Sequence, residues 1–231
     1  MTACYIENDA FACAWLRNLI ADGLIAPGEV FERSIEDVRP DELDGFAQVH
    51  AFAGYGGWSI ALQGLGIPDD FRVWTGSPPC QPWSEVGQRK GCADERHLWP
   101  AWFRLIRERC PPVVFGENVP EAVSLGWLDQ ISADLEAEGY AIGKGIFSAC
   151  AVEAPQERER LWFVAYANGE PLEWPAIARV ERHSWPAESS VARVAHGIAN
   201  QRNIVRAIGN GLVIPQAQAF IEAAFGALTD V

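Results

Sequence analysis

Short apolar runs of β-prone residues alternate with longer segments of helical periodicity along most of the chain. The first pair is ACYIE followed by AFACAWLRNLIA, and the second is QVHAF followed by GWSIALQGLG. The later strand-like runs are RVWTG, PPVVFGE and RLWFVAYA, with the helical segments HLWPAWFRLIRER and WLDQISADLEAEG between them. This alternation predicts an α/β fold with a doubly wound, mainly parallel sheet. Ligands of such sheets bind beyond the carboxyl ends of the strands.

The alternation breaks near residue 167. The stretch 167–190 is rich in Pro, Trp and charge and has no clear periodicity, which is typical of a loop-like insertion. Beyond it, NIVRAIGNGLVIPQAQAFIEAAFGAL has the apolar spacing of a closing amphipathic helix after a Gly-Asn-Gly turn. We therefore expect one domain built from 1–166 and 191–231, with 167–190 as a small insertion.

The composition is that of a globular protein. The chain has 231 residues, 49% of them hydrophobic, which suffices for one well-buried domain plus a small appendage. No stretch approaches the roughly 20 apolar residues of a membrane-spanning helix, and the N-terminus lacks a signal-peptide pattern, so we expect a cytoplasmic protein. The six cysteines form no CxxC pair and no zinc-like spacing, and we expect neither a metal site nor a disulfide framework.

The net charge of -13 speaks against a nucleic-acid partner, because such binding depends on Lys and Arg that neutralise phosphates. The distribution weakens this objection, since ten acids but only three arginines lie in the first 50 residues. Arginines recur later in the chain, so a locally basic face remains compatible with the sequence, and the residues in question are Arg89, Arg96, Arg104, Arg107, Arg109, Arg158, Arg160, Arg202 and Arg206.

Several segments place residues that could bind a ligand or take part in a reaction near the predicted ends of strands. In QVHAFAGYGGWSIAL, Gly54 and its neighbouring glycines permit positive φ and close approach of a ligand, although a tight βα turn is the commoner reason for such glycines. Cys80 follows two prolines that fix the backbone, which makes a presented nucleophile as good an explanation of this segment as a buried thiol. Glu117 ends the next strand, and Arg158 and Arg160 alternate on a segment that by itself reads as a solvated charged edge.

Together these segments resemble a known family. FAGYGG, PPCQPWS, GENV, PQERER and GNGLVIPQA are similar to the signature motifs of the cytosine-C5 DNA methyltransferases, and from PPCQ onward they follow the family's order. The resemblance covers nearly the whole chain apart from 167–190. It implies a Rossmann-like class I methyltransferase fold, S-adenosylmethionine as cofactor, double-stranded DNA as substrate and flipping of the target base.

The resemblance also assigns catalytic roles. Cys80 matches the thiolate that adds to C6 of cytosine, and Glu117 matches the protonated carboxyl that relieves charge at N3. Arg160 aligns with the arginine at the cytosine O2, while Arg158 helps to shape the pocket. The other catalytic candidates are Gln81, beside the thiol, and Asn118, which supports the proline loop. The candidate DNA contacts are Ser84, Arg89, Lys90, Arg96, Gln156, Arg179 and Arg182.

The cofactor residues follow from the same resemblance. Phe52 lies against the adenine, Gly54 and Gly56 admit the methionine part, and Asn210 belongs to the C-terminal motif that completes the pocket. The full candidate set is Phe52, Ala53, Gly54, Gly56, Gly57, Glu7, Asn8, Asp37, Val38, Pro79 and Asn210.

One departure from the family concerns the order of its units. The family has two strand–helix units between FAGYGG and PPCQ, and here YIENDAFACAWLRNL and RSIEDV resemble them but come first. We therefore predict that Glu7 lies beside Gly54 and serves the ribose, with Asp37 near the adenine. The strands would keep the family's places, and right-handed crossovers would then move the helix after FAGYGG to a different face from usual. Asn8 stands where the family often has a bulkier residue, which predicts weaker cofactor binding.

The short recognition region predicts short or relaxed sequence specificity. A structured RNA substrate, as in the family's tRNA-directed relatives, and a catalytically silent DNA-binding homologue are the alternatives. We expect a monomer in a bacterial or phage-infected cell, and the sequence leaves open whether a cognate restriction enzyme accompanies it.

Overall fold

The computed structural model describes residues 2–79, 98–168, 175–177 and 211–229. Within them a seven-stranded sheet has the order β2-β1-β3-β4-β5-β7-β6. The strands from β2 to β5 are parallel, and β7 is antiparallel to both β5 and β6. The strands are β1 (Ala3–Glu7), β2 (Gly28–Glu32), β3 (Gln48–Ala51), β4 (Val73–Gly76), β5 (Val113–Asn118), β6 (Tyr140–Ser148) and β7 (Glu159–Ala167). The predicted mainly parallel α/β sheet is confirmed.

Helices cover both faces of the sheet. They are α1 (Ala10–Ala21), α2 (Gly57–Gly64), α3 (Trp99–Arg109), α4 (Glu121–Ser124), α5 (Trp127–Ala137) and α6 (Ile214–Thr229). Two 3-10 turns, Ile35–Asp37 and Pro40–Leu43, lie between β2 and β3. None of the helices in the described ranges is long and apolar enough to cross a membrane.

Alternating side chains of the strands divide the core into two layers. One layer packs α1, α2 and α6 against residues such as Tyr5 and Phe115. The opposite layer packs α3, α5 and the 3-10 turns against residues such as Ile6 and Trp74. Because every central strand is buried on both faces, its sequence is an almost continuous apolar run, as expected for a parallel sheet.

The connection from β3 through α2 to β4 departs from the right-handed rule. The β1–α1–β2 connection runs toward the β2 edge of the sheet, with its helix on the face that carries α1. The β4–α3–β5 connection and the 3-10 turns between β2 and β3 run toward β5 on the opposite face, which carries α3. The β3–α2–β4 connection steps toward β5 with α2 on the α1 face, and therefore has the opposite hand. The expectation that right-handed crossovers would displace α2 is wrong. The α3 face is already filled there, since a Cβ on Gly76 would lie 2.7 Å from the Trp102 ring.

The sheet order brings the carboxyl ends of β1 and β3 together. β1 pairs with β3 directly, with Ile6 opposite Ala51, so the loops after both strands leave the same edge of the sheet. Two residues of the predicted insertion have a described place in the fold. Ala167 is the last residue of β7, and Ile177 packs against the core layer that contains α2 and α6. The division at 167–190 remains a prediction.

Candidate active site

The glycine loop after β3 adopts left-handed backbone conformations. Phe52 has φ 52°, Gly54 has φ 53° and Gly56 has φ 80°. A left-handed conformation is unusual for a bulky residue such as Phe52, and such outliers are common at ligand sites. The Phe52 ring is held edge-on by Trp102, with centroids 6.0 Å apart.

Glu7 joins this loop to the end of β1. Its Oε2 accepts a hydrogen bond from the Gly54 backbone N–H at 2.8 Å. Its Oε1 accepts from the backbone N–H groups of Asn8 and Asp9, both at 2.9 Å. The predicted juxtaposition of Glu7 and Gly54 is therefore present, although 47 positions separate them in the chain. A carboxylate has about four lone-pair sites, and three are used, so one on Oε2 is left for a ligand hydroxyl.

A cleft of about 380 Å³ opens at this edge of the sheet. Its walls combine an acid, an aromatic ring and exposed backbone, and they bring together Glu7, Asn8, Phe52, Ala53, Gly54, Gly57, Pro79 and Glu117 from the predicted set. Gly56 instead faces the core, where an added Cβ would lie 3.2 Å from Leu19. An acid for ribose hydroxyls, a ring for a base and a glycine turn for close approach fit S-adenosylmethionine.

The structure corrects two of the predicted cofactor residues. Asp37 is exposed and Val38 is buried in the core, and neither lines the cleft. Ser34 and Ile35 line it instead, because Ser34 caps the 3-10 turn at the end of β2 and the turn carries Asp37 outward. This edge of the site therefore belongs to Ser34 and Ile35.

Glu117 lies at the other end of the cleft, as the penultimate residue of β5. Its Oε1 pairs with the Arg160 Nε at 2.8 Å, and both side chains are largely buried. Burial raises the pKa of Glu117, while Arg160, a hydrogen bond from Ser77 and Arg158 oppose the rise. A carboxyl whose pKa is raised by burial beside cations is a candidate general acid.

The Glu117–Arg160 pair connects the cofactor cleft to a second, more polar cleft. This cleft has a volume of about 740 Å³ and is lined by Gln156, Arg158 and Arg160 together with Ser148, Cys150, Glu121 and others. Arg158 donates to the Gly211 carbonyl at 3.1 Å, and its burial lowers its pKa. The paired arginines of PQERER thus lie in a pocket wall and not on a solvated edge.

Asn118 supports the proline loop as predicted from the resemblance. Its Nδ2 donates to the Pro78 carbonyl at 3.4 Å, and its Oδ1 accepts from the Val119 N–H at 2.8 Å. Several predicted residues lie outside the described residues, namely Cys80, Gln81, Ser84, Arg89, Lys90, Arg96, Arg179, Arg182 and Asn210. Gly211 and Leu212, directly after Asn210, do line the cofactor cleft.

Sequence reasoning missed other residues of the cofactor cleft. Arg33, Trp58, Ser77 and Leu98 line it, as do Ser34 and Ile35. Ser77 could have been recognised from the sequence, since it stands at the end of a strand directly before the two prolines. Within the described ranges, no group of three His, Cys, Asp or Glu side chains is arranged to hold a metal ion.

This geometry can be compared with known proteins. A family model described as C-5 cytosine-specific DNA methylase matches residues 59–209, which is more than half of the chain. The chain belongs to this family. The match begins inside α2, so β1, β2 and the glycine loop after β3 precede it. The C-5 cytosine-specific DNA methylases use S-adenosylmethionine as methyl donor, in agreement with the cleft.

Relatives of this family cover part of the chain. The Type II methyltransferase M.NlaX of Neisseria lactamica is 30% identical over 149 residues, which cover 60% of this chain and 48% of the relative. M.AplI of Arthrospira platensis is 35% identical over 105 residues, covering 45% of this chain and 30% of the relative. M.HhaI of Haemophilus parahaemolyticus is 26% identical over 172 residues, covering 57% and 52%. The chain thus spans about half or less of the length of these relatives.

Among solved structures, the Entamoeba histolytica methyltransferase EhMeth is 17% identical, with a TM-score of 0.46 and coverage of 80% of this chain and 57% of that one.

Proposed function

We propose that this chain is a DNA (cytosine-5-)-methyltransferase that acts on a flipped cytosine through a covalent bond between Cys80 and C6. The observation that carries the proposal is Glu117, a largely buried acid paired with Arg160 at the junction of the cofactor cleft and the polar cleft. Such a junction suits a reaction that brings a methyl donor and a base together.

The chemistry requires that cytosine C5 become nucleophilic. The Cys80 thiolate adds to C6, the electron pair moves toward N3, and Glu117 supplies a proton there. C5 is then an enamine-like carbon. S-adenosylmethionine supplies an electrophilic methyl group when bound. Water takes the C5 proton, the C5–H electron pair re-forms the C5–C6 double bond and expels the Cys80 thiolate, and N3 returns its proton to Glu117, which restores the aromatic base and frees the enzyme.

The polar cleft is the proposed site of the flipped base. Arg160 contacts the cytosine O2 while it holds Glu117, and Arg158 and Gln156 form the adjoining wall. Asn118 keeps the proline loop close to the end of β5 through Pro78, two residues before Cys80. Base flipping is needed because C5 and C6 are inaccessible to a thiol within a stacked duplex.

The test measures transfer of labelled methyl groups from S-adenosylmethionine to duplex DNA, with tRNA as a parallel substrate. We expect labelled DNA, no label with Cys80→Ala, and unchanged labelling with Cys110→Ala, which removes an exposed thiol that lines neither cleft. A duplex with 5-fluorocytosine should retain the unsubstituted protein covalently, since fluorine blocks the final elimination. Labelling of tRNA but not DNA would refute a DNA substrate, and no labelling of either would favour a silent homologue.

Base-resolution mapping of methylated DNA then tests specificity. We expect a short or relaxed site, because only about two dozen residues separate the catalytic segments near 167–190. A long, strictly read site would contradict this expectation.

A further inference from the structure

Ser77 connects two residues of the cofactor cleft. It directly follows β4 and lines the cleft between Trp58 and Glu117. Its Oγ lies 3.1 Å from the Trp58 Nε1. Gly76, the residue before it, pairs with Gly116 in the parallel register of β4 and β5, so Ser77 and Glu117 are neighbours at the edge of the cleft, and the Ser77 hydroxyl acts on the Glu117 carboxyl as a hydrogen-bond donor.

The donor properties of these groups set the direction of both bonds. An indole N–H only donates, so the Ser77 oxygen must be the acceptor of the Trp58 bond. The single hydroxyl proton is then available to the carboxyl oxygen of Glu117. The order of donation therefore runs from Trp58 to Ser77 to Glu117.

The Trp58 side chain, which is the first donor in this series of hydrogen bonds, is held rigidly by its neighbours. It is 4% exposed, stacks on Phe115 at a centroid distance of 6.1 Å and meets Trp162 edge-on at 5.6 Å. Because the indole is packed on two sides, its N–H is a fixed donor to the Ser77 oxygen.

We propose that Ser77 is a positioning residue for Glu117, with Trp58 fixing the hydroxyl so that it donates to the carboxylate and holds it toward the polar cleft. The catalytic consequence rests on the proposed function, whereas the hydrogen-bond relay does not. Trp58 and Ser77 both lie outside the predicted site, and Glu117 is the member of the relay that the family motifs assign.

The relay has a defined electrostatic effect. Burial raises the pKa of Glu117, and the charged groups that face it are Arg160 on β7 and Arg158 directly before that strand, both of which lower it. Ser77, directly after β4, is the neutral donor, and it also lowers the pKa because its bond stabilises the charged form. Removal of the hydroxyl must therefore raise the pKa of Glu117 further.

The experiment follows the titration of Glu117 directly. Protein labelled with 13C at the glutamate carboxyl carbon is titrated by NMR, and Glu117→Gln identifies the signal. We expect Ser77→Ala to raise the midpoint by about one pH unit, the order expected for one hydrogen bond to a charged group. Ser77→Thr, which keeps the hydroxyl, should restore the original midpoint. Trp58→Phe should give a smaller rise, because Ser77 is then free to rotate.

A second readout links the relay to catalysis. If Glu117 acts protonated, the alkaline limb of kcat/KM for DNA should move upward in Ser77→Ala by the same amount as the NMR midpoint. An unchanged midpoint in Ser77→Ala, or equal shifts in the Ala and Thr variants, would overturn the proposal. If the unsubstituted protein methylates nothing while the midpoints shift as expected, the proposed function fails and the positioning role stands.

Discussion

Replacement of Glu7 by alanine tests whether one carboxylate holds the rearranged site together. The change removes the acceptor of three backbone hydrogen bonds, two from the turn after β1 and one from Gly54. At about 1 kcal/mol net for each bond, less the part that water replaces at exposed Asn8, we expect unfolding to become easier by about 2 kcal/mol. For a domain of this size that lowers the Tm by about 4–8 °C.

Cofactor binding should fall together with stability. Without Glu7 the cleft loses its acceptor for ribose hydroxyls, and the glycine loop loses the bond that fixes Gly54. We expect S-adenosylhomocysteine, measured by isothermal titration calorimetry, to bind at least ~10-fold more weakly, the effect of losing one or two such bonds. Glu7→Gln should lie between, because an amide retains only one acceptor oxygen.

Glu32→Ala is the matched control. Glu32 is the register partner of Glu7 on β2, but it forms only an exposed ion pair with Arg17 at 2.8 Å. Such pairs contribute about 0–1 kcal/mol, so stability and cofactor affinity should change little. Equal effects of Glu7→Ala and Glu32→Ala, or no effect of either, would refute the idea that Glu7 joins the two halves of the site.

Three further predictions concern other parts of the molecule. Burial lowers the pKa of His50 to about 3, below its unfolded value of 6.5, so its contribution to stability is complete above pH 6.5 and is lost as pH falls toward 3. Urea unfolding should show a loss of about 2 kcal/mol between pH 7 and pH 5 that is absent in His50→Gln. Gly57→Ala should destabilise the protein by about 1–3 kcal/mol in the same assay, since the new Cβ would lie 2.7 Å from the Leu212 Cβ, whereas Gly226→Ala, in open space, should not. Arg160→Lys should lower methyl transfer by about 10²-fold with little change in Tm, because lysine does not reproduce the guanidinium contact with Glu117, and unchanged transfer would contradict the assigned role.

The strands that the sequence pattern missed are both at the edges of the sheet. β2 is short, and its residues are only partly covered. β6 contains two glycines and a lysine and is exposed at several positions. Edge strands bury little apolar surface, so they lack the continuous hydrophobic run that revealed the central strands. Their existence follows from pairing with β1 and β7 and not from local composition.

The face occupied by α2 shows the limit of a general rule. Crossover handedness predicts the α3 face, yet α2 presents Trp58 and Leu62 to the same core layer as α6. Trp102 already packs over Gly76 on the other face. Complementary packing with other helices outweighed the preference for a right-handed crossover. No pattern within the α2 segment indicates which helices will pack against it.

The sequence by itself determined the alternation of strands and helices, the glycine loop after β3 and the acids at the ends of β1 and β5. These features are local, since periodicity, glycine and strand-end position are properties of contiguous residues. Only the tertiary structure decided which backbone N–H groups Glu7 accepts from, that Ser34 rather than Asp37 lines the cofactor cleft, and that Trp58 bonds Ser77 beside Glu117. Each of these depends on which strands are neighbours in the sheet and on how a turn directs one side chain, and hydrogen bonds between distant segments set both.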